Sequence, residues 1–301
     1  MSAPGFLTDR REFMGMGLAG LAAAMVPGVA SAATPARRPN VVVFMTDDQS
    51  EEDFACLGGR ALTPNFDRLA AEGMTFRNMH VSSSVCSPSR YGLLSGRYGG
   101  QCTSDGFLEL HPAGTMTRVE NNVELEHDRA NLPRLLQRAG YRTGFVGKSH
   151  VTHHHLLKNP EPWAAHGLKT YARDADPRDP ETAARFLHNH DWWAERMREH
   201  GFDEANAVYA GNLRELFNVP GNVHNLEWTT HAACEFMERN QRQPFFLYVA
   251  TTVPHGPAPW IRRNDRYPHS LDADPRITGA GYGDEHLGVM PDRASVRRRV
   301  A

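Results

Sequence analysis

Runs of consecutive apolar residues recur along the chain, and each is followed by polar residues. Residues 40–45 form a continuous β-branched run, which is typical of a strand buried on both faces. Residues 141–146 and 244–251 are similar runs. We therefore predict three buried strands, widely separated in sequence.

Helix start and stop signals lie between these runs. Thr63 and Pro64 supply a capping residue and a proline at the first helical position, and Gly73 ends the predicted helix. Three further helices are predicted at 131–140, 181–200 and 228–240. Strands that alternate with helices predict an α/β fold, with a mostly parallel sheet covered by helices on both faces. Residues 97–129 and 151–180 are predicted to be loop-rich insertions that shape the mouth of a site.

The composition excludes partners that are held by bulk charge. The 33 basic residues nearly balance the 35 acidic ones, for a net charge of −2. We therefore expect no nucleic-acid partner. The four cysteines show no paired spacing, so we expect no disulfide framework.

The N-terminus has the three parts of an export signal. Arg10 and Arg11 precede a Gly/Ala-rich apolar run at 15–26, and small residues follow at 30–32. This order predicts a twin-arginine signal peptide over residues 1–32, recognised by the twin-arginine translocase. The run is too short to span a bilayer, so we expect no stable membrane anchor. The mature protein is expected to be periplasmic or extracellular.

Chemically useful side chains follow all three predicted strands. Asp47 and Asp48 follow the first, Lys148 and His150 the second, and His255 the third. The carboxyl ends of parallel strands meet at one edge of a sheet, where ligands bind. Any one of these residues could be a solvated strand end. Five of them at three strand ends favour a shared site.

A second candidate lies at a predicted helix start. Pro88 follows Cys86 by two residues, and the apolar pair 93–94 continues the helical pattern. A helix N-terminus presents free N–H groups to an anion, and Arg90 adds a planar cationic fork. The alternative is a small buried cysteine without a chemical role.

The segment Cys86-Ser-Pro-Ser-Arg90, with Leu93-Leu94-Ser95-Gly96 after it, resembles the sulfatase signature around the cysteine that becomes formylglycine. Residues 140–150 resemble the second signature of that family, and the Asp47-Asp48 and Pro254-His255 pairs fall in family order. Ser95 replaces a common threonine, and Ser149 replaces a bulky residue. The resemblance extends from about residue 38 to the end of the chain.

The resemblance implies an alkaline-phosphatase-like fold and a covalent mechanism. A formylglycine-generating enzyme would oxidise Cys86 to an aldehyde, which hydrates to a diol. One hydroxyl attacks the sulfur of a sulfate ester, and the other then expels sulfate. Asp47, Asp48 and the modified Cys86 would bind one divalent cation, Ca²⁺, through oxygen.

The resemblance also implies roles for the remaining candidates. Arg90 and Lys148 would offset negative charge, and His150 would hold or deprotonate the diol. His255 would contact sulfate and could protonate the leaving oxygen. We interpret His153-His154-His155 as a polar rim of the pocket, because consecutive side chains rarely face one ion.

Three other functions remain open at this point. The chain could be a phosphomonoester or phosphonate hydrolase of the same superfamily, or a hydrolase that uses the Cys86 thiolate with a histidine. It could also be an inactive fragment that keeps only the pocket. Sulfatases continue into a later strand with an Asp-Asn pair, whereas no acid after His255 follows an apolar run. Residues 33–301 are therefore expected to be an incomplete, N-terminal catalytic domain that lacks its C-terminal part.

Overall fold

The computed structural model describes residues 38–59 and 62–256. The predicted signal peptide at 1–32 and the acidic residues after His255 lie outside the described residues. No helix in the described part of the chain is long and apolar enough to cross a membrane.

Four parallel strands form the sheet, in the spatial order β1, β4, β2, β3. Their bounds are Val41–Asp47 for β1, Arg142–Lys148 for β2, Glu204–Tyr209 for β3 and Phe245–Pro254 for β4. The three predicted strands and their parallel pairing are confirmed. The sequence pattern misses β3, because polar Glu204 and Asn206 interrupt its apolar run.

Seven α-helices lie in the described residues. They are α1 Pro64–Glu72, α2 Cys86–Ser95, α3 Asp105–Leu110, α4 Leu132–Arg138, α5 His154–Lys158, α6 Pro180–Glu199 and α7 Leu226–Asn240. The four predicted helices correspond to α1, α4, α6 and α7, and the helix predicted at Cys86 is α2. Because α3 and α5 lie within the two predicted insertions, those segments are less loop-rich than expected.

Two apolar clusters place helices on both faces of the sheet, as predicted. Alternate residues of β2 and β4 point to opposite faces, because side chains alternate along a strand. Phe145 and Tyr248 belong to the cluster that contains residues of α2 and α6. Val146 and Val249 belong to the cluster that contains α7.

The first strand differs from its prediction. Val42 and Phe44 are 47% and 53% exposed, so β1 is not buried on both faces among the described residues. The reason is its place in the sheet. Within residues 38–59 and 62–256 it pairs only with β4, whereas α7 packs on β2, β3 and β4.

A close backbone approach occurs at the end of β2, immediately before Lys148. Gly147 has a φ of +101°, and a Cβ there would lie 1.9 Å from the carbonyl oxygen of Ala250. Opposite it, the register against β3 shifts by one residue, and Ala207 has a φ of 49°. Only glycine meets both demands without strain. This irregularity precedes Lys148 directly, at the edge of the sheet where the candidate residues lie.

Candidate active site

Three charged side chains meet at the carboxyl edge of the sheet, and all three are buried. Lys148 Nζ lies 2.5 Å from Asp47 Oδ2, and Arg90 Nη2 lies 3.6 Å from Asp47 Oδ1. Burial by itself would raise the pKa of Asp47, but the two cations outweigh burial and lower it. Two cations against one carboxylate leave this cluster with an excess positive charge.

Cys86 is the first residue of α2 and is half-buried beside this cluster. Its Sγ lies 3.2 Å from His150 Nδ1 and 3.5 Å from Asn121 Oδ1. Burial raises the pKa of the Cys86 thiol, and burial together with nearby Lys148 lowers the pKa of His150 well below its usual value. At neutral pH the pair is therefore a neutral thiol and a neutral imidazole, without a thiolate.

Arg90 is oriented by the protein interior. Its Nη1 donates to the carbonyl oxygen of Lys148 at 2.7 Å and to the hydroxyl of Tyr248 at 3.4 Å. Its buried Nε has no hydrogen-bond partner among the described residues. The guanidinium is thus held between β2 and β4.

Asp48 and His255 lie together at the outer side of the cluster. Asp48 has a φ of 63° and is half-exposed, and its Oδ2 lies 3.8 Å from His255 Nε2. His255 is near enough to help lower the pKa of both Asp47 and His150. All seven predicted site residues therefore lie in one region. Asp47, Arg90 and Lys148 contact one another, Cys86 and His150 form a second contact beside them, and Asp48 and His255 lie at the rim.

Three polar residues of this region were not predicted. Asn121 contacts Cys86, Asn212 Oδ1 lies 2.6 Å from Lys148 Nζ, and Glu215 Oε2 lies 3.6 Å from His150 Nε2. Asn212 and Glu215 follow β3, so missing that strand also hid them. Asn121 lies in an insertion with no periodic pattern, and no sequence signal marks it.

The interpretation of the three consecutive histidines was wrong for His154. This side chain is buried, and its Nε2 lies 2.9 Å from both Ser87 Oγ and the Val123 carbonyl oxygen. It supports α2 from inside. His153 and His155 line a separate cavity of about 700 Å³, whose lining does not include Cys86.

The carboxylates of Asp47 and Asp48 are the type of ligand that a hard cation prefers. Asp47 and Asp48 offer oxygen donors on adjacent residues, which is the chemistry that Ca²⁺ prefers. Among the described residues, no group of three or more His, Cys, Asp or Glu side chains is arranged to hold a metal ion. Because Ca²⁺ takes about six to eight oxygen ligands, further ligands would have to join these two.

The architecture and the site define a class of protein. The parallel sheet with helices on both faces is an alkaline-phosphatase-like fold. At the carboxyl edge of the sheet lie the candidate nucleophile, Cys86, at the start of a helix, and the buried cluster of Asp47, Arg90 and Lys148. Residues 39–276 match the sequence model of the family described as Sulfatase. The chain belongs to the sulfatase family.

Several known proteins are similar to this chain. Human N-acetylgalactosamine-6-sulfatase is 30% identical over 230 residues, which is 73% of this chain and 40% of that protein. An N-acetylglucosamine-6-O-sulfatase of Bacteroides thetaiotaomicron is 34% identical over 128 residues, 41% of this chain and 20% of that protein. A solved structure, whose description concerns the metabolism of glycosaminoglycans by Bacteroides thetaiotaomicron, aligns with this chain with a TM-score of 0.50 and 19% identity. The alignment covers 82% of this chain and 56% of the solved one. The chain thus spans less than half the length of these curated relatives.

Proposed function

We propose that this chain carries the nucleophile and the anion-binding cluster of a sulfuric-ester hydrolase. One observation carries the proposal. Cys86 begins α2 with its Sγ 3.2 Å from His150, beside the buried cluster of Asp47, Arg90 and Lys148. Free N–H groups at the helix start and the excess positive charge together favour a tetrahedral anion at this point.

Oxidation of Cys86 to formylglycine would supply the nucleophile, a hydrated aldehyde oxygen. The neutral thiol does not favour the alternative in which a Cys86 thiolate attacks, because its pKa is raised and its histidine neighbour is uncharged. In the tautomer that carries its proton on Nε2, toward Glu215, His150 Nδ1 faces residue 86 and is suited to accept a proton from a hydroxyl placed there.

The surrounding residues divide the remaining tasks. Lys148 and Arg90 offset negative charge as the ester bond breaks, and His255 at the rim can protonate the leaving alcohol oxygen. Asp47 and Asp48 would hold the calcium ion, which supplies Lewis acidity toward sulfate oxygens when it is bound. A formylglycine-generating enzyme is then a required partner of the protein.

We propose sulfated carbohydrates as the substrate class. The support is the names of the relatives, which specify 6-sulfated N-acetylgalactosamine and N-acetylglucosamine. These two monosaccharide sulfates are therefore the first natural substrates to assay.

The proposal predicts preferential hydrolysis of sulfate esters. The full-length protein, co-expressed with a formylglycine-generating enzyme, is assayed with p-nitrophenyl sulfate, p-nitrophenyl phosphate and a phosphonate monoester. The sulfate should give the highest kcat/KM, because residues 39–276 match the Sulfatase family model. Charge alone does not set this order, since a phosphonate monoester carries the same single negative charge as a sulfate ester. Removing calcium with a chelator should reduce turnover. A higher kcat/KM for either phosphorus ester would favour the related hydrolases instead.

We further propose export through the twin-arginine translocase to the periplasm or beyond. That translocase carries folded proteins, whereas Cys86 at the packed start of α2 must be modified while the segment is extended. Oxidation should therefore precede folding and export. Changing Arg10 and Arg11 to lysine should retain the protein in the cytoplasm with the aldehyde already formed, as measured by intact mass. A retained pool with only unmodified Cys86 would contradict this order.

A further inference from the structure

Asn212 lies between a side chain that can only donate and one that can only accept. Its Oδ1 is 2.6 Å from Lys148 Nζ, and its Nδ2 is 3.1 Å from Glu215 Oε1. Asn212 and Lys148 are buried, and the Glu215 carboxylate is only 14% exposed. These three groups form a short buried chain of hydrogen bonds that ends at the candidate active site.

Only one orientation of the Asn212 amide satisfies both neighbours. An ammonium group has no acceptor, and a carboxylate has no donor. If the amide were reversed, its NH₂ would face Lys148 and its oxygen would face Glu215, and both contacts would become repulsive. Glu215 and Lys148 therefore act together to fix which end of the Asn212 amide faces Lys148.

The surrounding backbone holds Glu215 in this position. Its Oε2 also accepts a hydrogen bond from the Asn212 backbone N at 2.5 Å. A Cβ on Gly211 would lie 2.1 Å from the same oxygen, so the carboxylate packs directly on the chain. Oε2 further lies 3.6 Å from His150 Nε2, the ring nitrogen opposite the one that faces Cys86.

We propose that Glu215 is a positioning residue for the reaction: it orients the Asn212 amide so that Asn212 Oδ1 holds Lys148 Nζ in the site. The inference rests on the proposed sulfatase function. Glu215 touches no reacting atom and acts through Asn212. A purely local role, as the cap of the short 3₁₀ turn Leu213–Leu216, is the competing explanation.

A double-mutant cycle that exchanges donor and acceptor groups separates the two roles. In Glu215→Gln, the NH₂ group of the new amide must face either the backbone N or the Nδ2 of Asn212. Both of these atoms are donors, so either orientation brings two donors together. In Asn212→Asp, two carboxylates face each other. In the double variant Glu215→Gln/Asn212→Asp, the glutamine NH₂ donates to the aspartate, which also accepts from Lys148. The total charge is then the same as in the wild type.

We expect each single variant of the full-length, formylglycine-bearing enzyme to lose about 10- to 100-fold in kcat on p-nitrophenyl sulfate, because Lys148 is misplaced. The double variant should recover to within about threefold of wild type, since all donors regain acceptors. Glu238→Gln, a matched change on the exposed side of α7, should leave kcat unchanged. A double variant that is worse than either single variant would overturn the proposal.

Urea unfolding of the same four proteins provides a readout that does not need activity. Recovery of the unfolding midpoint in the double variant supports the hydrogen-bond chain, and additive losses overturn it. Recovery of stability without recovery of kcat would confine Glu215 to the local cap and overturn the positioning role. If the wild type hydrolyses no sulfate ester, the proposed function fails, while the unfolding cycle still decides whether the chain exists.

Discussion

Replacing Cys86 with alanine is expected to reduce sulfate-ester hydrolysis by about 10⁴-fold or more, because the reaction loses its nucleophile. Cys86 is the first residue of α2 and only half-buried, so a methyl group there should leave the fold intact. The measurement is kcat on p-nitrophenyl sulfate with the full-length protein, together with its unfolding curve in urea.

Two comparisons make this result specific. Cys86→Ser should fail as well, unless the host can oxidise serine to the same aldehyde. Cys234→Ala removes an exposed thiol on α7 and should retain full activity. Unchanged turnover by the Cys86→Ala variant would refute the covalent mechanism.

Removing the carboxylate of Asp47 should destabilise the fold more than any other single change in the buried cluster. Asp47→Ala leaves Lys148 and Arg90 as two buried cations without their shared partner. Loss of one member of a buried ion pair costs about 3–5 kcal/mol of unfolding free energy. Urea denaturation of the chain in a chelating buffer, where no metal contributes, measures the difference.

The double variant Asp47→Leu/Lys148→Met is the control for this effect. It removes the carboxylate and one cation together, so it should lose less stability than the sum of its single variants.

The lowered pKa of Asp47 gives an independent check. The Asp47 carboxylate should contribute its full stabilisation at pH values above its pKa in the unfolded chain, which is about 4. This stabilisation should be lost as the pH falls through its lower pKa in the folded protein. If Asp47→Ala lowers the free energy of unfolding by less than about 1 kcal/mol, Lys148 and Arg90 have other partners in the folded protein.

The candidate site was largely predictable because its members lie at strand ends or in a compact motif. Parallel strands bring their carboxyl ends to one edge, so Asp47 and Lys148 were expected at the same edge once the strands were recognised. Their direct contact across the intervening β4 depended on the strand order. The helix at Cys86 was recognisable from Pro88 and the apolar pair after it. The error on β1 has a local cause as well, since a run of apolar residues does not reveal whether its strand is covered on both faces.

Local patterns of apolar residues, caps and glycines determined three of the four strands and five of the seven described α-helices, because these patterns depend on neighbours in the chain. Together with the signature segments they also gave the seven predicted site residues. Contacts between distant segments depended on the tertiary structure alone. Only the folded chain places Asn212 and Glu215 behind Lys148, and Asn121 beside Cys86. The same holds for charge states: the raised pKa of Cys86 and the lowered pKa of His150 arise from burial, and burial is a property of the packed sheet and helices.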